Sequence, residues 1–79
     1  MKMIEERIDK LIEMYQEYYE DNCKIIEKNK ENLKWKLNNG YEECAYSNAI
    51  AIKEMDSRNF LIKSFIESLE YAKIGETND

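Results

Sequence analysis

No proline occurs in the 79-residue sequence, and one of its two glycines, Gly40, falls at the centre. Long stretches therefore carry no residue that obliges a helix to stop. Apolar residues recur mostly at spacings of three and four from Ile4 through Ile8, Leu11, Tyr15, Tyr19, Cys23, Ile26 and Leu33 to Leu37, a helical rather than a strand period. The stripe drifts along the segment, as in a long helix without a strict heptad, and thins at Asn29, Lys30 and Asn32, where a break would fall. The expected first helix covers residues 3–38. Asn38-Asn39-Gly40 is the strongest punctuation. Gly40 suits a left-handed helix end, with Lys34 and Lys36 favourably placed in the last turn. The competing reading has Asn39 capping the second helix, with Glu42 three residues on.

The second expected helix covers residues 41–73, with a seam of Tyr41, Ala45, Asn48, Ile52, Met55, Asn59, Ile62, Ile66 and Leu69. Asp56 or Ser57 could cap a third helix, so a break at 56–59 is the alternative to continuity. Gly75 ends the periodicity and leaves residues 75–79 as a frayed tail. The expected fold is all-α: one domain, residues 1–79, built as an antiparallel hairpin of two long helices. A short turn sets Tyr19 against Phe60, Tyr15 against Ser64 or Phe65, Ile26 against Lys53 and Trp35 against Cys44. Cys23 then lies near Asp56, far from Cys44, which disfavours a disulfide and leaves both cysteines as small buried filler. Ile25, Ile50, Leu61, Phe65 and Tyr71 do not fit the seam. That surplus points to a second covered surface, most simply a homodimer forming a four-helix bundle.

Composition narrows function by exclusion. Without histidine there is no Ser-His-Asp chemistry and no histidine-ligated zinc, and two cysteines 21 residues apart form neither a four-cysteine site nor a C-x-x-C pair. No catalytic residue, cofactor or metal is expected. No stretch reaches the roughly 18 apolar residues of a membrane span, and the opening MKMIEERIDK lacks the apolar run of a signal peptide. A cytoplasmic protein with free thiols is the expectation. Lys, Asn, Ile and Tyr, whose codons are AT-rich, make up 34 of the 79 residues, which suggests a low-GC bacterium or one of its phages as the source.

The net charge of −5 divides unevenly: −5 over residues 5–21, +3 over residues 24–36 and −4 over residues 41–79, with Lys2 supplying the remaining +1. Direct nucleic-acid binding is therefore not expected. Glu6, Asp9, Glu13, Glu17 and Glu20 share a helical face, and such a row is either an ordinary solvated surface or an imitation of phosphates. Lys24, Lys28, Lys30, Lys34 and Lys36 alternate with Glu27 and Glu31, and the run could meet the acidic half of a second copy. Of the six tyrosines, Tyr15 and Tyr19 are read as core and Tyr18 and Tyr46 as facing a partner, with Trp35 near the turn. Asn48 and Asn59 on the seam, with Asn22 close by, are read as setting register and oligomeric state. The expected partner-binding residues are thus Glu13, Glu17, Glu20, Tyr18, Trp35 and Tyr46. The functional expectation is a non-catalytic protein that binds and modulates or inhibits another macromolecule, a host protein if a phage or mobile element encodes it. The alternatives are a self-associating scaffold and a nucleic-acid mimic that inhibits a DNA- or RNA-binding protein.

Overall fold

A computed structural model describes the backbone of residues 2–77 and the side chains of residues 4–74. It is an all-α hairpin: α1 spans Lys2–Asn38, a short 3-10 turn spans Glu42–Cys44, and α2 spans Tyr46–Thr77. The helices pack antiparallel along their length into a rod 61 Å long and 14 by 12 Å across its Cα atoms.

The turn resolves the competition between the two caps. Gly40 adopts φ +79, the left-handed conformation that glycine enters without a Cβ penalty. The Tyr41 N–H donates to the Lys36 carbonyl at 2.8 Å and the Asn39 N–H to the Trp35 carbonyl at 3.1 Å, closing α1 in a Schellman-type end. The Asn39 side chain turns back as well, its Nδ2 donating to the Trp35 carbonyl at 2.7 Å. It therefore serves α1 and does not cap the second helix.

Helix two differs from the expected residues 41–73 at both ends. Tyr41 to Ala45 form the 3-10 turn and its flanks, so α2 begins at Tyr46. The left-handed exit at Gly40 sends the chain away from α1, and these residues bring it back. At the other end α2 continues through Gly75 to Thr77, so the expected tail is helical over 75–77; Asn78 and Asp79 lie outside the described residues. Both helices are continuous through 29–32 and 56–59. With no proline present, the polar residues there are accommodated without loss of the helical ladder.

The seam between the helices is thin. Among the described residues the buried apolar side chains are Ile8, Ile26 and Ala45, and the buried polar ones are Asn48 and Asn59. Both asparagines bridge the helices. Asn22 Nδ2 donates to Asn59 Oδ1 at 3.0 Å, and Asn59 Nδ2 donates to the Tyr19 carbonyl at 3.3 Å. Asn48 Nδ2 donates to Asn29 Oδ1 at 2.9 Å, and Lys36 Nζ donates to Asn48 Oδ1 at 2.6 Å. No buried side-chain nitrogen or oxygen among the described residues lacks a partner, so these polar groups avoid the cost of unmet hydrogen bonds. Together with the edge-to-face contact of Tyr15 on Phe65, at 4.9 Å between ring centres, they fix the register. Tyr41 is the one residue of the expected second seam that the structure leaves exposed.

Cys44 corrects the reading of the cysteines. It is exposed, because the 3-10 turn lies outside the seam, whereas Cys23 is half-buried with its Sγ 3.5 Å from Asn59 Nδ2. Both thiols are free.

Candidate functional site

The hairpin has two unlike sides. Successive helical residues turn by about 100°, so Met14, Tyr18 and Ile25 lie on one flank of α1, beside the seam. Ile50, Leu61 and Phe65 lie on one flank of α2. Tyr15 joins the flanks: its ring packs edge-on against Tyr18, with centres 5.3 Å apart, and against Phe65. The six side chains thus lie on one side of the hairpin, interspersed on α2 with Lys53, Glu54 and Arg58. All six are exposed, Tyr18 to 46% and Leu61 to 67%. Among the residues that failed to fit the seam, Ile25, Ile50, Leu61 and Phe65 are placed here together. Tyr71, 80% exposed, is elsewhere on α2.

The opposite side is charged. Tyr19, Glu27, Lys30, Asp56, Phe60 and Lys63 line one shallow groove between the helices, and Gln16, Glu20, Glu67 and Glu70 line its continuation. Lys30 pairs with Glu27 at 3.7 Å. Tyr19, expected in the core, lies on this edge and is 36% exposed, while Tyr15 is half-buried.

The six residues expected to bind a partner do not form one site. Glu13 and Glu17 are exposed on the back of α1, facing away from α2, whereas Glu20 borders the groove opposite Glu67 and Glu70, and among the described residues no side chain pairs with any of the three. Asp9 leaves that row: it accepts a hydrogen bond from Lys73 of α2 at 2.7 Å. That hydrogen bond, reinforced by the charge of Asp9, raises the Lys73 ammonium above the ordinary lysine pKa. Tyr18 belongs to the apolar face. Trp35 is near the turn, about 27 Å along α1 from Glu17 at ~1.5 Å per residue. Its ring stacks on Tyr41, with centres 5.6 Å apart and planes 10° from parallel, instead of meeting Cys44. Tyr46, 72% exposed, stands at the start of α2.

Two participants were absent from the sequence-based expectation. Lys36, read as part of the surface lysine run, reaches into the seam, where Nζ also donates to the Cys44 carbonyl at 3.0 Å. Asn29, read as a weak point in α1, holds Asn48 while its own Nδ2 donates to the Ile25 carbonyl at 2.9 Å. Their spacing from Leu33 and Ile26 on the inner face was the available signal. Among the described residues no group of three His, Cys, Asp or Glu side chains is placed to hold a metal, and no helix is long and apolar enough to cross a membrane. The chain matches no protein-family model, and neither a curated protein nor a solved structure matches it significantly.

Proposed function

We propose that this chain is a non-catalytic protein-binding hairpin that works through the apolar face centred on Tyr18 and Leu61. The observation that carries the reading is the amount of surface left uncovered. A compact monomer of this mass exposes about 5,000 Å², whereas this chain exposes 6435 Å², an excess of about 1,400 Å². That excess belongs to the whole rod, and the exposed apolar side chains grouped on one side of it mark an interaction site. Tyrosine, phenylalanine and methionine, all present on the face, are enriched where proteins meet. The shallow charged groove, by contrast, has no enclosed pocket in which paired carboxylates could acquire divided acid and base roles.

The test is photo-crosslinking in the expressing cell. A photoreactive residue at position 18 or 61 is expected to give discrete protein adducts, and one at position 13 or 17 only background. Adducts confined to positions 13 and 17, or none from any position, would overturn the reading.

A second reading rests on the unpaired row Glu13, Glu17 and Glu20. Such a row could occupy a basic nucleic-acid channel on a host protein. Reversing all three to lysine should then abolish partner binding while leaving helicity intact. Unchanged affinity removes this reading.

A further inference from the structure

We infer that the occupant of the apolar face is a second copy of this chain, related by a two-fold axis that crosses the helices at the level of Tyr18 and Leu61. The inference rests on the proposed role of that face and names its partner. Three observations carry it.

The first is area. If each copy hides its excess of about 1,400 Å², the pair buries roughly 2,800 Å², within the range of obligate homodimers.

The second is the placement of the face. The register fixed by Tyr15 on Phe65 and by Asn59 on the Tyr19 carbonyl sets Tyr18 of α1 level with Leu61 of α2. The exposed face runs from Met14 to Ile25 on α1 and from Phe65 back to Ile50 on α2, so it covers nearly the same stretch of both helices. A surface centred on the same level in both helices is suited to an isologous contact, in which one patch meets itself.

The third is size matching. A two-fold axis at this level lays Phe65 of one copy over Ser57 of the other, and Ile50 over Ala72. Phe65 and Ile50 each then meet a small residue, as interdigitated layers require, while Tyr18 and Leu61 meet their own mates on the axis. Glu54, the one acidic residue in this line of α2, meets Ser68 instead of another carboxylate. Glu13, Glu17 and Glu20 lie outside the contact, so their rows are not driven together. The composition of α2 agrees. Unlike α1, it carries apolar residues around most of its circumference, the pattern of a helix covered on more than one side.

Sedimentation equilibrium of the purified full chain should give a mass twice the 9.5 kDa of the monomer. Leu61→Glu places a charge in the contact and should weaken self-association on the order of 100-fold. Since that variant could lose helicity when it dissociates, a second variant tests geometry directly. In a Cys23→Ala/Cys44→Ala background, Leu61→Cys should oxidise readily to a covalent dimer, because residue 61 sits beside its own mate at the axis, while Tyr46→Cys should not. A fully helical wild-type chain that remains monomeric at 100 μM overturns the inference. So does a dimer in which position 61 stays reduced, or one crosslinked at position 46 instead. A helical monomer whose positions 18 and 61 still capture other proteins in cells would refute the second copy while leaving the proposed binding face standing.

Discussion

Replacing Asn22 and Asn59, singly and together, tests whether polar contacts hold the two helices in register. Asn59 is 6% exposed. Its Oδ1 accepts from Asn22 Nδ2 at 3.0 Å, while its Nδ2 makes two weaker contacts, to the Tyr19 carbonyl at 3.3 Å and the Cys23 sulfur at 3.5 Å. One good hydrogen bond contributes about 0.5–1.5 kcal/mol net, and a buried group left unsatisfied costs about 1–3 kcal/mol. Asn22 is half-buried, so Asn22→Ala removes little packing but strands the buried Asn59 oxygen, and a loss of about 1–3 kcal/mol is expected. Asn59→Ala leaves Asn22 where water can reach it, so its cost is the lost bond plus lost packing, about 1.5–2.5 kcal/mol. The double variant strands nothing, and its loss should fall short of the sum by about 1 kcal/mol. Urea and thermal unfolding followed by circular dichroism at fixed protein concentration measures the cycle. Each kilocalorie corresponds to about 4–8 °C in Tm for a chain of this size. Losses that add to within about 0.3–0.5 kcal/mol would mean that the two residues do not interact. The pair Asn22→Leu/Asn59→Leu should be as stable as wild type or more so, yet populate more than one species in sedimentation, because apolar replacements remove the cost and the specificity together.

Gly40→Ala should cost about 1–2 kcal/mol through its left-handed backbone alone, since a Cβ there meets nothing within 4 Å; Gly40→Asn should cost less, and chemical denaturation reads both. Lys36→Met deprives Asn48 Oδ1 and the Cys44 carbonyl of their donor and should cost about 1–3 kcal/mol, whereas the neighbouring Lys34→Met should stay within about 0.5 kcal/mol of wild type. Asp9→Asn should return the raised Lys73 pKa towards the ordinary lysine value, measured by NMR titration. Because the folded-state value is raised, any stability from this pair is complete below the unfolded lysine pKa and is lost as pH climbs through the folded one, so Asp9→Asn should flatten the alkaline limb of the stability profile.

The hairpin was legible because its two determinants are local: a helical period uninterrupted by proline, and one glycine at the point of reversal. A short turn then restricts the register, which is why Tyr15 meets Phe65 as expected. The beginning of α2 was not legible. Tyr41 to Ala45 suit a helix by composition, and only the left-handed exit at Gly40 requires a detour there. The cap was ambiguous for a related reason: Asn39 can bond forwards or backwards, and its choice depends on how closely the Trp35 carbonyl approaches. Lys36 was concealed by its charge, since its inward position follows from the twist of α1 and not from residue type. The six proposed contact residues divided along the same line. Glu13, Glu17 and Glu20 share a face because helical spacing demands it, but whether Trp35 and Tyr46 lie near them depends on distance along a rod. The misfit of Ile25, Ile50, Leu61 and Phe65 was visible in the sequence; their meeting on a single side required the antiparallel geometry.

A rod two helices thick can bury only one stripe of each helix, and among the described residues only three apolar side chains and two asparagines of that stripe are buried, the rest staying half-exposed. The few kilocalories gained by burying Ile8 and Ile26, about 1.5–3 kcal/mol each, are small beside the conformational entropy of a chain this long. Folding and pairing should therefore be a single equilibrium, with the paired face supplying what the seam lacks. Mass action then gives a quantitative consequence. Tenfold dilution costs a dimer about 1.4 kcal/mol, and spread over two chains this should lower Tm by about 3–6 °C. Circular dichroism melts across a hundredfold concentration range should show a shift of about twice that size. In a Leu61→Cys dimer, oxidised in the background lacking Cys23 and Cys44, the shift should vanish because the partner can no longer be diluted away. A wild-type Tm independent of concentration, with full helicity at the lowest point, would show that the thin seam suffices and that folding does not require the second copy.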